Sequence, residues 1–204
     1  MLKKLLTLTF LLMITTNVHA VEEAKYQLLL QQDNIEIRLY EPAVVAEVIV
    51  DGDIESAGNE AFRPLFNYIS GDNSRQADIA MTAPVSQQAT GEQIAMTAPV
   101  SQQQSGDKWA VNFMMPAAYT LETLPTPNDA QVRLRQLPEQ LMAVIRYSGF
   151  WSESNYLDHK LELEAWLSNS DYQIDGEPVW ARYNAPFTPW FLRRNEVLIP
   201  IIKR

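Results

Sequence analysis

The sequence contains no cysteine and only two histidines among its 204 residues. Without cysteine the chain has no disulfide, no thiolate metal site and no thiol nucleophile, so its stability must come from an apolar core. One histidine, His19, lies in the N-terminal segment described below, which leaves a single histidine, His159, in the rest of the chain. One histidine is too few for the familiar multi-histidine zinc sites and di-iron clusters.

Basic residues are also scarce. The 16 lysines and arginines are outnumbered by 25 aspartates and glutamates, which gives a formal net charge of −9. A negative field of this kind repels nucleic acid and anionic membrane surfaces. We therefore expect no nucleic-acid partner, and the charge suits a soluble monomer.

The first 20 residues have the order of a secretion signal. Lys3 and Lys4 precede an apolar run over residues 5–14, and a small-residue cleavage end follows at Ala20. The run is shorter than the ~20 apolar residues that span a bilayer, and an uncleaved anchor is the alternative. We predict cleavage near Ala20, a periplasmic or secreted location, a single domain over residues 21–204 and no stable membrane insertion after cleavage. Removal of the segment takes away two lysines and no acid, so the net charge would become −11.

Two similar patterns of strand and helix predict an α+β fold. The predicted strands cover residues 26–31, 34–40, 43–50, 108–115, 131–137, 141–147, 178–183 and 196–202, and the predicted helices cover residues 54–69 and 152–167. Strand, turn, strand and helix follow one another in each half, which suggests one mixed sheet or barrel that carries two helices. Pro64 lies inside the first helix, so we expect a kink or a helix that begins late.

A short exact repeat lies between the two halves. The ten residues that begin at Ile79 recur from Ile94, but two copies at so short a period do not make a solenoid. The repeat favours a duplicated hairpin arm joined by residues 89–92. The alternative is that one copy lines a pocket through Met81 or Met96.

The sequence has no specific enzyme motif. It contains no G-x-S-x-G, P-loop, H-E-x-x-H or G-x-G-x-x-G pattern, and no spacing of carboxylates singles out a catalytic pair. His159 falls on the flank of the apolar face of the second predicted helix. One possibility is that His159 is a metal ligand or a general base. The other is that it lies half-exposed at the edge of the core, and the lack of an evident partner favours this second possibility. We predict that the protein is not an enzyme.

Aromatic residues crowd into the C-terminal segment. They are Trp180, Tyr183, Phe187, Trp190 and Phe191, interleaved with Pro186 and Pro189. Prolines rigidify a loop and aromatic rings supply flat contact area, while Arg193 and Arg194 directly afterwards can pair carboxylates. This arrangement suits a flat apolar ligand with acidic groups at its edge. A loop that merely covers one end of the barrel is the alternative.

Five motifs, taken together and in order, resemble the SOUL haem-binding protein family. They are Phe62-Arg63-Pro64-Leu65-Phe66-Asn67-Tyr68-Ile69-Ser70-Gly71-Asp72-Asn73, the two Ile-Ala-Met-Thr-Ala-Pro-Val segments, Met115-Pro116, Tyr147-Ser148-Gly149 and Arg193-Arg194-Asn195-Glu196. The resemblance implies a distorted antiparallel β-barrel with two helices, built from two pseudo-equivalent β-β-α-β halves. It also implies reversible binding of haem or a related tetrapyrrole.

The resemblance further implies a shallow apolar groove between the first helix and the C-terminal loop. The residues that it places there are Phe62, Arg63, Phe66 and Asn67 on the helix, Thr188, Trp190 and Phe191 on the loop, and Met81 near the floor. Asn67 and Thr188 stand where animal relatives often carry basic residues. The resemblance therefore leaves Arg63, Arg193 and Arg194 to pair with the propionate groups of haem. The groove has no histidine, so the resemblance implies haem without strong axial ligation, and His159 is the one candidate metal ligand.

Three functions follow from these observations. The first is an exported haem or tetrapyrrole carrier, buffer or scavenger. The duplicated plan also resembles the effector-binding domains of multidrug-responsive regulators, so a binding domain for another flat apolar or cationic molecule is an alternative. The third is a small-molecule hydrolase or haem-processing enzyme, in which Glu47 or Glu177 would matter only if buried in the pocket.

Overall fold

The computed structural model describes residues 21–75 and 91–204. The predicted secretion signal and the first copy of the repeat, with Met81, lie outside the described residues. The helices are α1 (Ile54–Ile69), α2 (Glu153–Ser168) and a short 3-10 helix (Trp190–Leu192). The strands are β1 (Glu22–Glu23), β2 (Tyr26–Gln32), β3 (Ile35–Tyr40), β4 (Ala43–Val50), β5 (Asn73–Ser74), β6 (Thr97–Ala98), β7 (Val100–Ser105), β8 (Lys108–Met114), β9 (Thr126–Pro127), β10 (Arg133–Leu137), β11 (Gln140–Tyr147), β12 (Tyr172–Ile174), β13 (Val179–Arg182) and β14 (Asn195–Lys203).

One large antiparallel sheet dominates the fold. Its strands run in the order β10-β4-β8-β7-β13-β14-β11-β3-β2, and β12 pairs with β14. The predicted α+β class is confirmed. Within the described ranges the end strands β10 and β2 do not pair with each other, so the sheet is barrel-like but open.

The two halves of the chain are interleaved in this sheet. β3 and β4 of the first half pair with β11 and β10 of the second half. The helices α1 and α2 both contain 16 residues, and each follows its own pair of strands. The predicted helices and the duplicated plan are therefore confirmed.

The start of α1 is fixed by a capping box. The Asp53 carboxylate accepts hydrogen bonds from the backbone N–H groups of Glu55 at 2.9 Å and Ser56 at 2.7 Å, which satisfies donors that a helix end otherwise leaves unpaired. α1 begins at Ile54 and continues through Pro64, so of the two outcomes expected of Pro64 the late start is wrong. The cap stabilises the first turn well before the proline is reached.

Residues alternate between the two faces of the sheet. The face under the helices forms two cores, one beneath α1 that includes Val48 and Val111, and one beneath α2 that includes Ile145 and Trp180. The opposite face forms a smaller apolar cluster of Met142, Val144, Ala181 and Leu198. Both helices thus cover the same face.

The second copy of the repeat is divided between two strands. Thr97 and Ala98 form β6, which pairs with β1, and the residues from Val100 onward form β7 between β8 and β13. Because the first copy is outside the described residues, the hairpin between the copies stays a prediction. No helix in the described ranges is long and apolar enough to cross a membrane.

Candidate functional site

Two phenylalanines form an exposed apolar stripe on α1. Phe62 and Phe66 are one turn apart and are 37% and 45% exposed. Their rings stack with centroids 5.6 Å apart, and Phe62 also meets the buried ring of Phe113 on β8 edge-on at 5.5 Å. The contact with Phe113 fixes the stripe to the sheet, so the two rings present a preformed flat surface.

Arg63 and Asn67 lie beside this stripe. Both side chains are exposed, and Arg63 has no hydrogen bond or ion pair to any residue that the structure describes. An exposed guanidinium next to two aromatic rings can meet a ligand carboxylate at the edge of the surface.

A second aromatic pair lies where the 3-10 helix meets the turn before α2. Phe150 and Trp190 stack with centroids 5.3 Å apart and are 60% and 49% exposed. The backbone N–H of Gly149 donates to the Trp190 carbonyl at 3.1 Å, and Phe191 packs edge-on against Trp190 at 5.5 Å. Hydrogen bonding and stacking therefore hold these exposed rings in place.

Arg193 shapes the loop that carries Trp190. Its Nε and Nη2 atoms donate to the backbone carbonyls of Thr188 and Pro186, each at 2.8 Å. The guanidinium also lies 4.2 Å from the centre of the Trp151 ring. The predicted site residues Thr188 and Arg193 are thus brought together with Trp190, and two of the five N–H donors of Arg193 already serve the loop.

Arg194 lies apart from Arg193, in a buried ion-pair network. Its guanidinium bonds to the carboxylates of Glu23 and Glu196, and Arg38 pairs with Glu196 at 2.8 Å. Burial alone would raise the pKa of Glu196, but the hydrogen bonds and charges of Arg38 and Arg194 outweigh it and hold the pKa below its usual value. The Arg194 guanidinium also lies 3.8 Å from the centre of the Tyr183 ring, so Arg194 is tied to Tyr183 and the ion pairs, whereas Arg193 is tied to the Trp190 loop.

The first turn of α1 contacts the start of α2. The carboxylate of Glu55 accepts a hydrogen bond from the backbone N–H of Glu153 at 2.9 Å. Gly58, three residues further along α1, lets the helix lie close to the side chains of Gln102 and Arg182. A Cβ at this position would lie 2.9 Å from Oε1 of Gln102 and 3.0 Å from Nη1 of Arg182. The stripe of α1 and the loop before α2 are therefore joined through Glu55, with Arg182 beneath them.

Arg182 is a half-buried cation with two buried donor atoms that lack an acceptor in the described part of the chain. Its Nε and Nη2 atoms have no partner among the residues that the structure describes, although its guanidinium stacks on Trp180 at 4.1 Å and faces Trp151 at 5.2 Å. Burial lowers the pKa of Arg182 to about 10, and the charges of Tyr147 and Glu55 only partly compensate. An isolated buried guanidinium is a natural partner for a carboxylate.

Three more buried polar atoms of the same neighbourhood are unpaired in the described ranges. They are Oε1 of Gln102, the hydroxyl oxygen of Tyr147 and Nε1 of Trp180. Buried polar groups in folded proteins nearly always have partners. Gln102 and Trp180 are fully buried, so these atoms describe a polar interior next to Arg182 rather than a surface that a ligand reaches.

His159 lies on α2 rather than at the aromatic surface of α1. Its ring stacks on Tyr147 at 3.9 Å, and its Nδ1 lies 2.7 Å from the Asn155 carbonyl oxygen, which fixes Nδ1 as the donor. Within the described ranges no group of three or more histidine, cysteine or acidic side chains could hold a metal ion. The two acids considered for catalysis are also unremarkably placed, since Glu177 is exposed and Glu47 pairs with Arg135.

The structure places the residues predicted for the site in two groups. Phe62, Arg63, Phe66 and Asn67 share one exposed side of α1, and Thr188, Trp190, Phe191 and Arg193 share the loop, whereas Met81 lies outside the described residues. Sequence reasoning missed Arg182 and Phe150. The Trp180-Ala181-Arg182 alternation was a usable signal, because it puts Arg182 on the same sheet face as a buried tryptophan.

Comparison with known proteins identifies the family of this chain. The family model described as "SOUL heme-binding protein" matches residues 21–200. Mouse heme-binding protein 1 is 25% identical over 150 residues, which cover 73% of this chain and 74% of that protein. Human heme-binding protein 2 is 27% identical over 176 residues and 81% of each chain.

Solved structures share the fold at lower identity. The EcmrR C-terminal domain superposes with a TM-score of 0.60 at 9% identity, over 88% of this chain and 99% of that domain. A hydrolase from Listeria innocua superposes with a TM-score of 0.58 at 13% identity, over 85% and 94% of the two chains. These likenesses concern the fold alone, whereas the family model matches nearly all of the described sequence. The chain therefore belongs to the SOUL heme-binding protein family.

Proposed function

We propose that this protein is exported and binds haem or a related tetrapyrrole reversibly, as a carrier, buffer or scavenger. Family membership supports haem binding. The observation that carries the proposal is the presence of two stacked, exposed aromatic pairs, Phe62 with Phe66 and Phe150 with Trp190, on surfaces that Glu55 joins. A flat apolar macrocycle needs wide apolar contact surfaces of this kind.

The spacing of the pairs suits a ligand that lies across both. Glu55, Phe62 and Phe66 fall on one side of α1, and Phe62 is about 10 Å along the helix axis from Glu55. A ligand that rests on Phe62 and extends toward Trp190 would therefore pass over the region of Gly58 and Arg182. The proposed tetrapyrrole surface consists of the two aromatic pairs and the groove between them.

Two arginines are placed to meet the ligand carboxylates. Arg182 has two buried donors without an acceptor, and a carboxylate would satisfy both in a bidentate pair. Arg63 would meet a second carboxylate at the exposed edge. Arg193 and Arg194 already serve loop carbonyls and carboxylates, so we assign them to support of the loop rather than to the ligand.

Among the described residues, those of this surface would offer the metal of a bound haem no strong ligand. The Phe62 and Trp190 side chains supply only apolar contact, and His159 packs on Tyr147 along α2. Binding would then rest on apolar contact and on the carboxylates. This predicts modest affinity and ready release, as a carrier or buffer requires.

Titration of haem into the purified protein tests the proposal. We expect a shift of the haem Soret band, with Phe62→Ala and Trp190→Ala each weakening binding by roughly tenfold or more, because each removes a large apolar contact. Leu161→Ala is the matched control, since Leu161 is a 60% exposed apolar residue of α2 outside the proposed surface. An unchanged haem spectrum at tens of micromolar protein, about the range of weak specific binding, would contradict the proposal.

A further inference from the structure

A cavity of about 310 Å³ opens on the sheet face that carries neither helix. Its floor is formed by buried apolar residues from five strands: Val45, Met114, Met142, Ala181 and Leu198. The residues next to them in sequence, such as Phe113, Ala143 and Trp180, belong to the cores beneath the helices. Because side chains alternate along a strand, this cavity and the proposed tetrapyrrole surface lie on opposite faces of the sheet.

Asn112 supplies a polar group at the floor of this cavity. The residue lines the cavity and is only 6% exposed, yet its Oδ1 atom has no hydrogen-bond partner among the described residues. A buried amide without a partner is rare in folded proteins. A ligand that donates one hydrogen bond to Oδ1 would satisfy it.

The floor of the cavity has no unpaired charge. The rings of Tyr40 and Tyr183 line one side, and both hydroxyls are engaged in the ion-pair network, since Tyr40 accepts from Arg38 and Tyr183 donates to Glu196. At the mouth, Arg135 is paired with Glu47. Among the described residues that line the cavity, a ligand carboxylate would therefore find no free cation, and it would be repelled by the exposed carboxylate of Glu41.

The volume of the cavity also sets the size of the ligand. Small-molecule sites are usually concave, mostly apolar clefts of about 300–1,000 Å³ with a few placed polar groups. The cavity is at the lower end of this range, so it fits a compact molecule better than a large macrocycle.

We propose that this cavity is a second ligand site, for a small neutral apolar molecule that carries one hydrogen-bond donor. The site is independent of the proposed tetrapyrrole surface and does not rest on that function. Its specificity comes from the apolar floor and from Asn112. The protein would then bind two chemically different ligands, one on each face of the same sheet.

A matched pair of fluorescent probes tests the proposal. N-phenyl-1-naphthylamine is neutral and apolar with one N–H donor, and 8-anilino-1-naphthalenesulfonate is the same molecule with an added negative charge. We expect the neutral probe to bind one per chain with enhanced fluorescence, and the sulfonate to bind at least tenfold more weakly. Haem added to the complex should leave the neutral probe in place.

Variants locate the bound probe. Asn112→Leu should weaken binding of the neutral probe about five- to tenfold, as expected for one lost hydrogen bond, whereas Gln131→Leu, the same kind of change at an exposed residue, should not. Ala181→Leu should abolish binding by filling the cavity while haem binding stays unchanged. Circular dichroism checks that each variant is folded, and Asn112→Leu carries the test if Ala181→Leu does not fold.

Several results would overturn the proposal. The first is no binding of the neutral probe up to its solubility limit. Equal binding of the two probes, or indifference to Asn112→Leu, would show that the probe is held elsewhere or by unspecific apolar contact. Displacement of the neutral probe by haem would show that the two ligands share one site. A dimer that Ala181→Leu disrupts would show that a second copy of the chain covers the cavity instead.

Discussion

Replacing Arg182 with methionine should change stability and ligand binding in opposite directions. Two atoms of the guanidinium, Nε and Nη2, are buried without an acceptor among the described residues, and the group lies between Gly58 of α1 and the Trp180 ring. If Arg182 only stabilised the fold, replacing it would lower the free energy of unfolding. A buried charge that waits for a ligand carboxylate should instead destabilise the ligand-free protein.

The magnitude follows from the pKa. Burial lowers the pKa of Arg182 to about 10, and each pKa unit corresponds to about 1.4 kcal/mol, so the charge destabilises the fold by on the order of 3 kcal/mol. The substitution also removes the stacking of the guanidinium on Trp180 and Trp151, which stabilises the wild type by about 1–2 kcal/mol. The net expectation for Arg182→Met is a rise of about 1–2 kcal/mol in the free energy of unfolding. Because the folded-state pKa lies below the unfolded one, this gain is full at neutral pH and shrinks above a pH of about 10.

Urea denaturation followed by tryptophan fluorescence and circular dichroism measures the first half of this prediction. Arg133→Met, at an exposed arginine, is the control and should leave the free energy of unfolding unchanged. Haem titration measures the second half, and we expect Arg182→Met to weaken binding by roughly tenfold or more, because a charge-assisted hydrogen bond is lost. Marked destabilisation together with unchanged haem affinity would refute the reasoning and make Arg182 a structural residue.

Three further predictions concern the network, the histidine and the N-terminus. Glu196→Gln should lower the free energy of unfolding at pH 7 by about 2–3 kcal/mol, because the buried Arg38 loses one of its two carboxylate partners and keeps only Glu36. Since the folded-state pKa of Glu196 is lowered, the difference in urea denaturation between the wild type and this variant should shrink as the pH falls through that pKa. His159→Ala should leave the Soret position of the haem complex unchanged, because the ring stacks on Tyr147 and its Nδ1 donates to the Asn155 carbonyl, and a blue-shifted band would show that His159 ligates the iron. Mass spectrometry of the exported protein should give a chain that starts after Ala20, and retention of the first 20 residues would contradict the signal.

Local chemistry made most of the fold predictable from the sequence. Four-residue apolar spacing set the extent of α1, and the Asp53 cap explains why it begins at Ile54. The duplicated order of strands and helices predicted the plan of the sheet. The interleaved pairing of β3 with β11 and β4 with β10 was not predictable, because strand partners are chosen by contacts between residues far apart in sequence.

The site was less predictable than the fold. Trp190 could be singled out from the aromatic, proline-rich C-terminal segment, whereas Phe62 was indicated only by the resemblance to the SOUL family. The pairing of Arg194 with Glu23 joins residues at opposite ends of the chain, so sequence proximity wrongly suggested that Arg193 and Arg194 act together. The unpaired donors of Arg182 and the unpaired Oδ1 of Asn112 both result from the absence of a partner among residues that are distant in the sequence. Neither leaves a local trace in the sequence.

A crystal structure of the haem complex tests the central claim most directly. The account predicts that the macrocycle lies against Phe62 and Trp190, with a propionate within hydrogen-bond distance of Arg182 and no histidine bound to the iron. Haem bound in the cavity floored by Ala181 and Leu198, or no ordered haem at either face in crystals grown with excess haem, would contradict it.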